Sequence, residues 1–223
     1  MTGVQTCALP ISATSSLLVG APIAWWVSRL MPLSRSIWLS MLNTASNFSG
    51  IGLAFGFVAI LGNYGMLTLA FRDLGLPLTP PAPNTFWGLA LAYNYTNIPL
   101  FILLTIPGMG MLRQEWWEAA QTCGATQTRF WRGIGLPILA PFLGAGWLLV
   151  FTWSIGLYGI PFALAGNGAT RKVSLITLAI GDILQANISG QGEAAVLAII
   201  LLLLAGFSLC TYRWMLGRAA RWF

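Results

Sequence analysis

Side chains that could carry out acid–base or metal chemistry are scarce in this sequence. It has no histidine and only five acidic residues among 223, which excludes imidazole catalysis and histidine metal sites. The three cysteines, Cys7, Cys123 and Cys210, show no metal-ligand spacing, and we interpret Cys123 and Cys210 as small apolar residues. We therefore expect no catalytic residue, no metal site and no enzymatic activity.

The most constrained positions lie in one segment, residues 118–137. Its pattern is E-A-A-x3-G-x9-I-x-L-P, formed by Glu118, Ala119, Ala120, Gly124, Ile134, Leu136 and Pro137. At ordinary residue frequencies, a chance match at any one start is on the order of one in 10⁸. The pattern therefore indicates a dedicated function for this segment.

Apolar residues around this pattern recur every three to four positions, at Leu112, Trp116, Ala119/Ala120 and Cys123. Such spacing predicts a short amphipathic helix lying along a membrane surface. Gly124 can adopt the left-handed conformation that ends a helix. A second short helical stretch is expected from about residue 126 to 132, and Pro137 suits the first turn of the next helix.

The rest of the chain has the composition of an integral membrane protein. Hydrophobic residues make up 57% and charged residues only 7%, against about 25% charged residues in soluble domains. The net charge of +6 is not arranged as a basic stripe with interleaved aromatic residues, so we expect no nucleic-acid partner. The expected fold is an all-α, polytopic transmembrane helical bundle.

Five hydrophobic segments predict about five spans: residues 13–30, 37–62, 86–111, 139–165 and 194–216. The last four exceed twenty residues and are long enough to cross a bilayer. Between the last two, residues 172–186 have the spacing of a short amphipathic helix at the outer interface. The proline-dense residues 77–83 are expected to cap the bundle.

Arginine placement predicts the orientation of the spans. Three basic residues, Arg72, Arg171 and Lys172, fall on one side of the predicted topology. Eight fall on the other side: Arg29, Arg35, Arg113, Arg129, Arg132, Arg213, Arg218 and Arg221. Because basic residues concentrate in cytoplasmic loops, residues 118–137 and the C-terminus are expected in the cytoplasm.

The first twelve residues, MTGVQTCALPIS, resemble the translation of a common short-read sequencing adapter. We expect residues 1–12 to be foreign to the natural protein and residues 13–223 to be its membrane domain, truncated at the N-terminus. The alternative is a genuine N-terminus such as a signal peptide, but the segment lacks a basic start and an adequate apolar core.

Amide side chains occur at bilayer depth in two predicted spans. Asn43 and Asn47 lie four residues apart and share a helix face, and Asn94 and Asn97 lie in the next span. They could hydrogen-bond between helices or line a path for a polar solute. Trp153, which lies deeper in its span than the other tryptophans, completes the candidate pathway.

The pattern in residues 118–137 resembles the EAA loop of permease subunits of binding-protein-dependent ABC importers. The resemblance implies the MetI-like fold, nearest to the spermidine/putrescine, ferric iron and thiamine group. In that family the loop docks into a cleft on a separate ATPase subunit and transmits its closure. Glu118 would face a polar or basic group, Ala119 and Ala120 would allow close approach, and Gly124 would set the angle. Ile134 and Leu136 would anchor the loop to the bundle, while Trp116 and Trp117 lie outside the motif and have no assigned role.

The resemblance also implies a location and partners. The chain would be a multi-pass protein of the bacterial cytoplasmic membrane. It would work with two ATP-binding subunits, a second permease (identical or homologous) and an extracytoplasmic solute-binding protein. ATP and Mg²⁺ would bind the partner, because this chain has no Walker A pattern and would need no cofactor of its own.

Two other interpretations stay open. One is a channel or secondary transporter without ATP coupling, although no ionisable residue lies at mid-bilayer as proton coupling typically needs. The other is a fragment too truncated to insert productively.

Overall fold

The computed structural model describes residues 5–75, 81–165, 175–186 and 191–219, and this part of the chain contains helices and no strand. The helices in chain order are α1 Gln5–Ser28, α2 Pro32–Asn47, α3 Ile51–Leu61, α4 Met66–Asp73, α5 Phe86–Met109, α6 Gln114–Thr122, α7 Gln127–Phe130, a π-helical turn at Trp131–Gly135, α8 Leu136–Gly156, α9 Gly159–Ala165, α10 Ile176–Ala186 and α11 Gln191–Ala219. The predicted all-α class is confirmed.

Five helical stretches in these ranges are long and apolar enough to cross a membrane. They are Leu9–Ser28, Ile51–Asp73, Phe86–Met109, Gln127–Gly156 and Gln191–Met215. The expected number of spans is therefore confirmed, while the boundaries of the second and fourth differ from the prediction. The expectation that residues 1–12 are foreign stays a prediction.

The second predicted span, 37–62, was wrong as one continuous helix. The chain breaks after Asn47, and Gly50 adopts φ +83°, a left-handed conformation that only glycine adopts readily. The preceding helix α2 is rich in serine and asparagine, whereas α3 is almost wholly apolar. The apolar stretch then continues to Asp73 with a second interruption at Gly62–Gly65.

The fourth predicted span, 139–165, begins earlier and ends earlier than expected. Its helix runs from Gln127 through the π-helical turn to Gly156. Leu157 is extended, with φ −69° and ψ 120°, and this residue separates α8 from the short helix α9. The amphipathic loop and the fourth span therefore share one continuous helix.

Helix α5 forms the centre of the bundle, and thirteen of its residues are buried. Glycines allow α8 to approach it closely: a Cβ placed at Gly108 would lie 2.7 Å from Phe142 Cγ, and one at Gly146 would lie 2.9 Å from Thr105 Cγ2. Small residues at such contacts let membrane helices pack backbone to backbone. The close packing of α5 on α8 therefore depends on glycine, which has no side chain, at positions 108 and 146.

Two apolar clusters mark the two ends of the bundle. At one end, where α1 and α5 finish and α8 begins, the cluster contains Val27, Ile106, Leu112, Phe130 and Leu139. The other cluster joins α3, the start of α5, α9 and α10, and its members include Leu53, Leu89, Tyr93, Ile160 and Leu178. The amphipathic loop therefore lies at the α1/α5 end.

Helix α10 confirms the helix predicted within residues 172–186, although residues 172–174 lie outside the described ranges. It packs through Leu178, with Leu175 just before it in the same cluster, and its position at a membrane interface stays a prediction. Of the proline-dense segment 77–83, residues 77–80 are likewise outside the described ranges. The assignment of the two ends to the cytoplasm and the exterior also stays a prediction.

Candidate coupling site

The segment from Arg113 to Gly135 forms a bent helical hairpin, which we call the elbow. Its first arm, α6, has the predicted amphipathic character, with Trp116, Trp117 and Ala120 half-buried and Glu118 exposed. The second arm is α7 with the π-helical turn that follows. The expected short helix, turn and second helical stretch are all present.

Gly124 makes the turn of the elbow in the predicted left-handed conformation, with φ +74°. Its N–H donates to the Gln121 carbonyl at 2.9 Å, and the Ala125 N–H donates to the Ala120 carbonyl at 2.9 Å. These two bonds form a Schellman motif, which satisfies the last carbonyls of α6. A Cβ at Gly124 would meet no atom within 4 Å, so the glycine is required for its backbone conformation and not for space.

The two arms enclose an open groove with a volume of about 680 Å³. Its wall is apolar apart from Arg129, and it is lined by Trp116, Ala119, Ala120, Cys123, Ala125, Arg129, Phe130, Gly133, Ile134 and Ile138. The two alanines keep the α6 wall low, because a methyl group is the smallest side chain that still covers the backbone. The structure thus brings Ala119, Ala120 and Ile134 together in one concave surface.

Glu118 lies on the exposed face of α6. Its carboxylate accepts a hydrogen bond from the Gln114 side-chain amide at 3.2 Å, and it forms no ion pair within the described ranges of the chain. A carboxylate held only by a neutral amide on the same helix can still accept a charged donor from outside.

The role of Ile134 and Leu136 in anchoring the loop to the bundle stays a prediction, and their side chains are 37% and 49% exposed in this chain. The contacts that the structure shows are those of Phe130 in the elbow and of Leu112 just before it, which are 4% and 3% exposed and belong to the cluster at this end of the bundle. Phe130 packs edge-to-face on Trp117 at 5.2 Å between ring centroids.

Leu112 and Phe130 lie outside the E-A-A…P motif, so the motif could not identify them. The available signal for Leu112 was the apolar periodicity from Leu112 to Cys123, which places it on the same face as Trp116. The contact between Trp117 and Phe130 could not be predicted from the sequence, because the two residues lie on different arms and meet only across the turn.

Pro137 lies in the first turn of α8 as predicted, but α8 continues directly from the π-helical turn. The Leu136 N–H donates to the Trp131 carbonyl, five residues back. Proline has no N–H to donate, and its ring clashes with the carbonyl four residues earlier. The widened turn accommodates Pro137 without interrupting the helix.

The candidate pathway amides on α5 form contacts between helices. Asn97 is fully buried, and its side-chain amide donates to Ser154 Oγ at 2.8 Å and lies 3.5 Å from Ser12 Oγ. Asn94 accepts from Ser15 Oγ at 2.7 Å. These bonds join α5 to α1 and α8, which favours the helix–helix interpretation for both residues.

The other candidate pathway residues lie elsewhere. Asn43 and Asn47 are exposed on α2 and bond to each other, with Asn47 Nδ2 donating to Asn43 Oδ1 at 3.0 Å. Trp153 is 51% exposed on α8 beside a cavity that it shares with Thr152. The structure therefore does not bring the five candidates together within one chain, and their role in a pathway stays a prediction.

Comparison with known proteins gives several relatives of one kind, while no protein-family model matches the sequence. The sulfate transport system permease protein CysT of Salmonella typhimurium is 31% identical over 205 residues, covering 89% of this chain and 70% of that protein. The spermidine/putrescine permease protein PotB of Haemophilus influenzae is 29% identical over 158 residues, covering 70% of this chain and 55% of its own length. The molybdenum permease protein ModB of Mycobacterium tuberculosis is 25% identical over 203 residues, covering 87% and 70%.

Proposed function

We propose that this chain couples solute movement to ATP hydrolysis in a separate subunit, since it belongs to the permease subunits of binding-protein-dependent ABC importers. The observation that carries this proposal is the elbow, whose two arms form an apolar groove beside an exposed carboxylate. The chain itself catalyses no reaction in this proposal. It provides part of the path across the membrane, together with the surface on which the ATPase subunit acts.

The elbow docks into a cleft of the ATPase subunit. Ala119 and Ala120 let a partner element approach the α6 backbone, and Glu118 accepts a charge-assisted hydrogen bond from a basic group at the rim. When the ATPase dimer closes, the elbow moves with it. The continuous helix Gln127–Gly156 carries that movement into the bundle.

The assembly contains two ATPase copies, a second permease and an extracytoplasmic solute-binding protein. The elbow and the C-terminus face the cytoplasm of a bacterial inner membrane. The exposed apolar face of α11, with Leu202 and Phe207, supports a surface covered by lipid or by the second permease.

The solute is a small polar molecule, and we propose an oxyanion of the sulfate type. A sulfate permease is 31% identical over 89% of this chain and 70% of its own length, and a molybdenum permease matches over similar shares of both chains. The sequence places its acidic residues outside the interior of the spans, at Asp73, Glu115, Glu118, Asp182 and Glu193. A polycation such as spermidine would need carboxylates along its path to replace its hydration, whereas an oxyanion would not.

Reconstitution of the transporter tests both the coupling role and the oxyanion assignment. The permease is co-expressed with the ATPase, second permease and binding protein of its transport system, and ATP-dependent uptake of labelled sulfate is measured in proteoliposomes, with spermidine as the competing solute. We expect sulfate uptake and recovery of the ATPase with the tagged permease. Failure to recover an ATPase would contradict the coupling role, and uptake of spermidine alone would contradict the oxyanion assignment.

The groove has its own variant and control. Ala119→Trp fills the groove with an exposed side chain and should abolish ATPase recovery without altering membrane insertion. Gln121→Trp adds the same ring to α6 outside the groove and should leave ATPase recovery unchanged. Equal recovery with both variants would show that the partner does not dock in the groove.

A further inference from the structure

We propose that the C-terminal end of α1, with Arg29 just after it, holds the second arm of the elbow and the residue that leads into the first arm, so that ATPase closure moves α1 together with the helix Gln127–Gly156. We call this contact set the α1 clamp and define it by Trp25, Arg29, Leu112 and Trp131. Trp25 and Arg29 are positioning residues in this proposal, which rests on the docking role proposed above.

The first half of the clamp is an aromatic contact with the outgoing arm. Trp25 packs edge-to-face on Trp131, with ring centroids 4.9 Å apart and planes at 72°. Trp131 begins the π-helical turn, and its ring is 6.2 Å from that of Phe130, which in turn contacts Trp117 on α6. A continuous series of rings therefore joins α6, the outgoing arm and α1.

The second half of the clamp is a contact with the residue that leads into the first arm. Arg29 Nη2 donates to the Leu112 carbonyl at 3.4 Å across 83 residues of sequence. The guanidinium also lies over the Trp25 ring, 4.4 Å from its centroid, which orients it by a cation–π interaction. Leu112 lies two residues before α6 and is buried, so this bond joins Arg29 to the point where the chain enters the first arm.

Gly135 makes room for the Trp131 ring. A Cβ at Gly135 would lie 2.7 Å from Trp131 Cε3, closer than van der Waals contact allows, so any larger residue would displace the ring. The widened turn ahead of Pro137 brings this glycine under the ring. The position of Trp131, and with it the first half of the clamp, thus depends on a residue outside the four that define the clamp.

The clamp and the docking groove are separate surfaces of the elbow. The groove is lined by the inner faces of the two arms. A different cavity, of about 310 Å³, lies between the elbow and α1 and is lined by Trp25, Arg29, Leu112, Trp131 and neighbouring polar residues. Phe130 is the one residue that lines both. Docking can therefore persist when the clamp is broken, and only transmission to α1 is lost.

The experiment uses two fluorescent reporters in the assembled complex with ATPase, in a background where the native cysteines are replaced. Monobromobimane is attached at Gln121→Cys on the elbow or at Leu18→Cys on the exposed side of α1, and the spectral change on adding ATP and vanadate is recorded. In the otherwise unaltered permease both reporters should respond. Trp25→Ala should leave the elbow response intact and reduce the α1 response at least about twofold, the smallest change expected from losing an aromatic pair.

Matched controls separate transmission from general disturbance. Trp26→Ala removes the neighbouring tryptophan of α1, which pairs with Trp38 instead of the elbow, and should leave the α1 response unchanged. Trp25→Phe keeps an aromatic ring against Trp131 and should therefore retain most of the α1 reporter response that Trp25→Ala loses. Gly135→Ala should reproduce the Trp25→Ala effect by displacing the Trp131 ring, whereas Gly156→Ala, which meets no atom within 4 Å, should not.

The outcomes distinguish the two proposals. If the elbow reporter responds but the α1 response is equal in Trp25→Ala and Trp26→Ala, the clamp proposal is wrong and the docking role stands. If no ATPase is recovered, or the elbow reporter is silent in the unaltered permease, the proposed function fails and the clamp proposal fails with it.

Discussion

Substitution of Gly124 should impair coupling while leaving the fold intact, because this glycine is required only for its backbone conformation. Its φ is +74°, and a Cβ would meet no neighbouring atom. A side chain therefore adds no steric clash with other elements and acts only on the turn. The two hydrogen bonds of the Schellman motif depend on that turn.

The magnitude follows from two opposing terms. The left-handed conformation costs an L-residue roughly 1–2 kcal/mol, and replacing glycine by alanine recovers about 0.4–1 kcal/mol by restricting the unfolded chain. The net destabilisation for Gly124→Ala is then about 1 kcal/mol, small beside a typical unfolding free energy of about 5–15 kcal/mol. Within the folded state, however, about 1–2 kcal/mol shifts the ratio of native to relaxed turn roughly five- to thirtyfold.

A series of substitutions at Gly124 with increasing cost in the left-handed conformation tests whether uptake follows that cost. Asn tolerates the left-handed conformation better than Ala, and β-branched Val tolerates it worst, so uptake should fall in the order Gly, Asn, Ala, Val. ATP-dependent uptake in proteoliposomes and thermal unfolding of the purified permease are measured in parallel. Gly206→Ala, at a helical glycine whose Cβ would also meet no atom, serves as the control.

The expected result is loss of uptake with little change in melting temperature. Uptake by the Ala and Val variants equal to that of the unaltered permease would refute the reasoning, since the turn would then not matter for coupling. A large fall in melting temperature for all three variants would refute it differently, by showing that the turn supports the bundle itself.

Two further changes test packing and the candidate pathway. Gly108→Ala should lower the free energy of unfolding by about 1–3 kcal/mol, because the added methyl group overpacks against Phe142. Gly56→Ala, whose Cβ would lie in open space, should not. Equal melting temperatures for the two variants would contradict the close packing of α5 on α8. Asn97→Ala should lower the free energy of unfolding by about 0.6 kcal/mol, because it removes the hydrogen bond to Ser154, and should leave uptake unchanged. Loss of uptake with an unchanged melting curve would instead assign Asn97 to the solute path.

The elbow is the part of the site that local sequence predicted best. Amphipathic spacing placed α6, and Gly124 marked the turn, because both depend on residues within one or two helical turns. The contacts of Ile134 and Leu136 could not be predicted in the same way, because their spacing does not determine which neighbours they meet after the π-helical turn, and their anchoring role stays a prediction. Trp117 had no role in the motif and proved to pack on Phe130 across the turn.

The break after α2 shows a similar limit. Ser49-Gly50 was a visible turn signal, but the apolar residues on either side suggested one span, and hydropathy averages over such breaks. The asparagines of α5 were ambiguous for another reason. Their hydrogen-bond partners, Ser15 and Ser154, lie on other helices, so neither role could be preferred before those helices were assembled.

Sequence alone determined that the chain is a helical membrane protein with a glycine-hinged elbow, since composition, hydrophobic periodicity and the chirality of L-residues act over short stretches of chain. Tertiary structure decided which side chains hold that elbow and which amides join helices. Those contacts join residues far apart in sequence, as between Arg29 and Leu112 or Asn97 and Ser154, and their geometry exists only when the helices pack.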